Sequence, residues 1–190
     1  MDGSDSWQDF PIGMQFQFVT ESNLLSIQTG SHSETALCAI SDGTDGRRRP
    51  VGLNRKSILE NLKKNGIQNA AFTNDYFKIL PNYKFVISPE GNGIDCHRHY
   101  EALMMGCIPI VELNPLIKQK YKGCPVLFTV DYSEITEEYL QTCYAEMIDK
   151  EYDFSRLFMS YYTPEQNKTI KMCGNYWVRC NLGNERIWYS

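Results

Sequence analysis

The chain has 190 residues, 42% of them hydrophobic and 13% aromatic, with a formal net charge of -4. That length suits one domain with a sizeable core, and the composition excludes a disordered or fibrous chain. An excess of acidic residues, 23 against 19 basic ones, argues against a general nucleic-acid binder.

The start, MDGSDSWQDF, lacks the basic opening and apolar centre of a signal peptide, and no apolar run is long enough to span a membrane. Seven cysteines, an odd number with no C-x-x-C pair, are expected to be reduced thiols. The expected setting is therefore cytoplasmic, with no membrane segment. Residues 1–34 read as an N-terminal segment in which PIGMQFQFV is either an edge strand or a linker.

From Thr35 the pattern alternates between strand and helix. Ala36 to Ser41 (ALCAIS) is a short apolar run ending in the turn-rich SDGTDG, as expected of a buried strand and its loop. Asn54 is placed to cap a helix whose Ile58, Leu59 and Leu62 share a face, with Lys63 and Lys64 in the last turn and Gly66 beyond it. Tyr83 to Ser88 predicts a second strand, stopped by Pro89 and the glycines. His97 to Met105 is helical in pattern and Gly106 ends it. Cys107 to Val111 (CIPIV) is apolar throughout, as expected of a parallel strand covered on both faces, although a proline such as Pro109 would normally demote a strand to an edge. A short helix over Pro115 to Tyr121, a strand over Val126 to Val130, and a helix capped by Ser133 or Thr136 complete the series.

This alternation predicts an α/β fold: a single Rossmann-like open parallel sheet over residues 35–150 with helices on both faces. Residues 151–190 follow as an extension with two further helices.

The candidate site is SPEGNGIDCHR, which leaves the carboxyl end of the second strand, where open parallel sheets bind ligands. Gly91 and Gly93 are expected to take positive φ and bring backbone N–H groups towards an anion, with the helix N-terminus behind them, so a phosphate fits. Arg98 can fork onto phosphate oxygens, and Glu101, three residues later on the same face, can accept hydrogen bonds from the two hydroxyls of a ribose. Glu112, closing the next strand, ranks behind Glu101. The dinucleotide fingerprint G-x-G-x-x-G lacks its third glycine here, which disfavours a nicotinamide-dependent dehydrogenase. Cys96, His97, His99 and Cys107 match no four-ligand zinc spacing, so no metal is expected.

The ordered set Phe85, Ile87, Pro89, Gly91, Gly93, Asp95, Arg98, Glu101, Ala102, Leu103, Gly106, Cys107, Ile108 and Pro109 resembles the donor-binding half of GT-B glycosyltransferases. It is similar especially to the exostosin-like group and relatives found in algae and large DNA viruses. By that resemblance Arg98 contacts the diphosphate and Glu101 the ribose of a nucleotide sugar, while the loop Gly91, Asn92, Gly93, with Glu90 and Asp95, faces the phosphates or the sugar. Arg47 to Arg49, followed by Asn54, Arg55 and Lys56, is similar to the basic loop that approaches the donor phosphates from the opposite side, which adds Arg48 and Arg49 to the donor-binding set. Pro11-Ile12-Gly13 looks like the segment joining the acceptor half to the donor half.

The resemblance implies a glycosyltransferase donor half that needs no cofactor and no metal. Its partners are a nucleotide sugar, a glycan or glycoprotein acceptor, and an acceptor domain or second subunit, with no role for nucleic acid. The alternative is a stand-alone, inactive nucleotide-binding or nucleotide-sugar-binding module that works with a partner chain. The catalytic residue is not identifiable at this level.

Overall fold

The computed structural model describes residues 11–15, 31–70 and 75–169. The chain divides into two compact units, residues 1–153 and 154–190. In the first, β1 (Glu34–Leu37), β2 (Tyr83–Ile87), β3 (Ile108–Glu112) and β4 (Leu127–Thr129) form one all-parallel sheet in the order β1-β2-β3-β4. The helices of this unit are α1 (Arg55–Lys64), α2 (Tyr76–Ile79), α3 (His97–Met104), α4 (Pro115–Lys120) and α5 (Glu137–Met147).

The helix ends follow from the sequence. Asn54 accepts the Ser57 N–H and Ser57 Oγ accepts the Asn54 N–H, each at 3.0 Å, so α1 begins with a reciprocal capping box. Gly66, at φ +82°, follows its end. Of the two caps proposed for α5, Thr136 serves: its side chain accepts the Tyr139 N–H at 3.2 Å.

Strand alternation sorts the core into two layers. Cys38, Ile40, Phe85, Ile87, Ile108 and Ile110 pack with Ile58 and Leu62 of α1 and Leu140 of α5. Leu37, Ala39, Val86 and Cys107 pack with Tyr76 and Phe77 of α2 and Ala102 of α3. The sheet is thus covered on both faces, which is why its strands read as apolar runs rather than alternating ones.

Pro109 departs from expectation, because β3 is a central strand and not an edge. The Ser88 N–H bonds to the Ile110 carbonyl, so Ile110 faces β2 and the nitrogen of Pro109 faces the β4 side. Pairing with β4 starts only at Ile110 opposite Leu127, so no ladder bond is lost at Pro109.

In the second unit, the stretch expected to form its first helix contains 3₁₀ turns at Ser155–Leu157 and Met159–Tyr161, with helix at residues 164–169. Pro164 explains the break, since it disfavours the helical conformation at Thr163. Thr163 becomes a cap instead: its Oγ1 accepts the Gln166 N–H at 3.3 Å and its N–H donates to Gln166 Oε1 at 2.9 Å. The remainder of the expected second helix, and residues 16–19 of the proposed edge strand, lie outside the described residues. Residues 11–15 are not in a strand. No helix among the described residues is long and apolar enough to cross a membrane.

Candidate functional site

The chain leaving β1 runs to α1 on one face of the sheet, and the chain leaving β2 runs to α3 on the other. Connections that part in this way open a crevice at the carboxyl ends of the two strands, the usual ligand position in open α/β sheets. Arg55, the first residue of α1, lies between the two loops that follow β1 and β2. Its guanidinium donates to the carbonyls of Ser41 after β1 (3.3 Å) and of Pro89 (3.1 Å) and Glu90 (2.8 Å) after β2. Arg55 is 7% exposed, and its partners are carbonyl dipoles rather than a bonded carboxylate. Burial lowers its pKa, and the nearby charge of Arg98 lowers it further, against the pull of Cys96, Asp45 and Glu112.

Arg55 also explains Gly91. A Cβ there would lie 3.1 Å from Arg55 Nη2 and 3.5 Å from Thr44 Cγ2. The expectation of positive φ at Gly91 and Gly93 is not met; positive φ occurs at Gly13, Gly52, Gly66, Gly106 and Gly123. The loop requires glycine for close approach, and its first N–H turns inward to the Gly93 carbonyl at 3.0 Å. Asn92 is exposed at the loop tip.

The basic loop does meet the glycine loop, but its charge is already answered by carboxylates. Arg48 donates to the Gly91 carbonyl at 3.1 Å and to Glu90 Oε2 at 2.5 Å. Arg49 pairs with Asp45 Oδ2 at 2.8 Å and with Glu112 Oε1 at 3.0 Å, and lies 3.5 Å from Glu90 Oε2. Burial works against the charge of Arg49, yet Glu112, Glu90 and Asp45 together hold its pKa above the ordinary value. Glu112 accepts the Glu90 N–H with both oxygens (3.2 and 3.0 Å) and the Tyr132 hydroxyl at 3.0 Å. Burial is the main reason its pKa is raised, with Glu90 adding to the effect. Glu90 therefore faces Arg48 and Arg49.

Asp45, which sequence reasoning passed over, organises this side. Its Oδ2 accepts Arg49 Nε at 2.9 Å and the Arg55 N–H at 3.0 Å, while its carbonyl accepts the N–H groups of Arg48 and Arg49. The only sequence signal was the Asp-Gly turn immediately before three arginines.

Arg98 and Glu101 sit on α3. The Arg98 guanidinium lies over the ring of Tyr76, 5.2 Å from its centroid, and its charge is felt at Arg55, Cys38 and Cys96. Arg98 is thus near enough to Arg55 for their charges to interact. Glu101 is 2% exposed, and its Oε1 accepts the Gln15 N–H at 3.3 Å. Burial raises its pKa, partly offset by the Gln15 backbone and by Arg98.

Asp95 is placed elsewhere. Its carboxylate accepts Lys120 Nζ at 2.6 Å and the hydroxyls of Tyr121 (2.6 Å) and Tyr100 (3.0 Å), a buried network that ties the loop to α4. Its role in the fold is to anchor the end of the glycine loop, not to face the crevice. Beside it, His99 Nδ1 is 2.6 Å from Ser88 Oγ, both fully buried, and burial pushes the imidazole down to about 4. Burial also pushes the thiol of Cys96 up to about 12, so it is protonated and inert at neutral pH.

The structure thus brings Arg48, Arg49, Glu90 and Gly91 together around Arg55, and places Arg98 beside them. Among the described residues there is no group of three or more His, Cys, Asp or Glu arranged to hold a metal ion. No protein-family model matches the chain, and no curated protein matches it significantly.

Proposed function

We propose that the crevice between β1 and β2 binds the diphosphate of a nucleotide sugar, and that the chain supplies the donor half of a GT-B type glycosyltransferase. The observation carrying this reading is Arg55, a buried guanidinium held by three carbonyls, with Arg98 beside it at the N-terminal end of α3. Neighbouring cations and a helix N-terminus favour an anion, and arginine suits phosphate oxygens. The ordered residues from Phe85 to Pro109 that resemble exostosin-like enzymes add the sugar nucleotide to that anion. Arg98 and the loop would then stabilise the departing diphosphate, without a metal ion, and orientation of the donor would supply the rest of the rate enhancement. The acceptor is a glycan or glycoprotein, presented by an acceptor domain or partner subunit.

One observation favours the narrower reading, a binding module without turnover. Asp45, Glu90 and Glu112, the carboxylates around Arg55, are each already bonded to an arginine or a backbone N–H. A general base for transfer would then come from another chain or domain.

Thermal unfolding in the presence of UDP, GDP and their sugars tests the binding claim, because a ligand selective for the folded state raises the midpoint. A rise with at least one nucleoside diphosphate is expected. Flat midpoints across the panel at millimolar ligand remove both readings. Release of sugar from any nucleotide sugar by the chain alone would remove the module reading.

A further inference from the structure

Residues 11–15 lie along α3 and cover the carboxylate assigned to the ligand hydroxyls. His97 Nδ1 and the Gly13 carbonyl are 2.6 Å apart, so the imidazole donates to the backbone. One helical turn later the Gln15 N–H donates to Glu101 Oε1 at 3.3 Å. Between them Met14 packs against the apolar layer formed by α2, α3 and the sheet. Under this segment Glu101 is 2% exposed. The carboxylate that the resemblance assigns to a ligand's hydroxyls is thus occupied by Gln15 of its own chain.

We propose that residues 11–15 form a strap that competes with the ligand's hydroxyls for Glu101, so that the site is completed only when the strap lifts. This rests on the nucleotide-binding reading above. The strap is fastened by the Gly13–His97 and Gln15–Glu101 backbone contacts, by the Gln15 side chain on Glu101, by the Ile12 backbone on Tyr100 and by the side chain of Met14, and hydrogen bonds of this kind make modest net contributions, so lifting lies within reach of ordinary binding energy. Apparent affinity falls in proportion to the fraction of molecules held closed. Loosening the strap should therefore tighten binding, whereas damage to a ligand-contacting residue weakens it.

Gly13 offers a clean way to loosen it. Its φ is +69°, and a Cβ built there meets nothing within 4 Å, so Gly13→Ala strains the strap without touching Glu101 or the crevice. Gln15→Pro removes both the N–H and the side-chain amide that hold Glu101. Isothermal titration of UDP and of GDP into the full chain should show about three- to ten-fold tighter binding for both variants than for wild type. Binding by the variants alone, with wild type silent, supports the strap equally. Equal affinity in all three proteins overturns the strap while leaving nucleotide binding intact, and weaker binding by the variants overturns it by making the segment part of the site. Absence of binding in all three removes the nucleotide reading and the competition with it. Should a variant fail to fold, hydrogen exchange of the Gln15 amide in wild type reads the same claim: faster exchange at saturating UDP or GDP supports it, and unchanged or slower exchange overturns it.

Discussion

Single atoms decide much of the behaviour of this site. Glu101 is held above the usual carboxylate range by burial, so its charge is a cost to the fold. Glu101→Gln should therefore leave stability unchanged within about 1 kcal/mol while weakening nucleoside diphosphate binding about tenfold, as measured by urea titration and calorimetry. Equal loss of both would make Glu101 a structural group. Gly91→Ala places a methyl group 3.1 Å from Arg55 Nη2, and displacing that guanidinium should cost about 1–2 kcal/mol in a urea titration together with loss of binding. His99 gives a pH signature. Its folded pKa of about 4 lies below the unfolded value near 6.5, so its contribution to stability is present above pH 6.5 and is lost as pH falls towards 4. The full swing is on the order of 3 kcal/mol. Glu101 and Glu112 act in the opposite sense: their raised pKa values favour the fold below about 4.5 and lose that effect as pH rises. His99→Asn should flatten the slope between pH 6.5 and 4; an unchanged slope would assign it to other groups. The sequence exposed Arg98, Glu101 and the glycines because they stand at fixed offsets in one stretch. It hid the side-chain roles of Asp45 and Arg55, because what matters there is which carbonyl or carboxylate lies opposite, a property of the folded loops.

At the level of elements, the glycine loop is gripped on two sides. On one side Arg48, Arg49 and Arg55 bond to Glu90 and Gly91; on the other Asp95 ties the start of α3 to Lys120 and Tyr121 at the end of α4. Asp95→Ala would leave Lys120, 1% exposed, without its carboxylate, and should cost about 3–5 kcal/mol by urea unfolding. Combining Asp95→Asn with Lys120→Met removes both charges and should cost clearly less than Asp95→Ala; an equal loss would mean that the ion pair is not the source of the effect. Most elements were legible from pattern. Asn54, Gly66 and the ILENL face predicted α1, and the apolar runs KFVI and IPIV predicted β2 and β3. Pro109 misled because the rule against proline in a central strand depends on which neighbour its nitrogen faces, and register is invisible in one strand's sequence. In the second unit, where two helices were expected, Ser155–Leu157 and Met159–Tyr161 are 3₁₀ turns, and Thr163-Pro164 supplies the cap from which helix starts at residue 164. Asp95 entered the donor-binding set through the resemblance, and its carboxylate bonds Lys120 and Tyr121, twenty-five and twenty-six residues away.

For the molecule as a whole, a net charge of -4 coexists with a cluster of arginines at the carboxyl ends of the strands. Glu90, Asp45 and Glu112 neutralise Arg48 and Arg49, so under the proposed function the attraction for a diphosphate would rest on Arg55 and Arg98. The parallel sheet supplies the geometry: all four strands end on one side, α1 and α3 lie on opposite faces, and Arg55 bridges the loops that follow β1 and β2. The fold class was legible because it depends on the alternation of elements, whereas the order of the strands and the way residues 11–15 lie on α3 depend on contacts distant in sequence. Mapping amide chemical shifts of the full chain during titration with UDP and GDP tests the central claim most directly. Binding in the crevice predicts saturable shifts concentrated at residues 90–98 and at Arg55; the absence of saturable shifts with either nucleotide, or shifts centred away from the carboxyl ends of the strands, would contradict it.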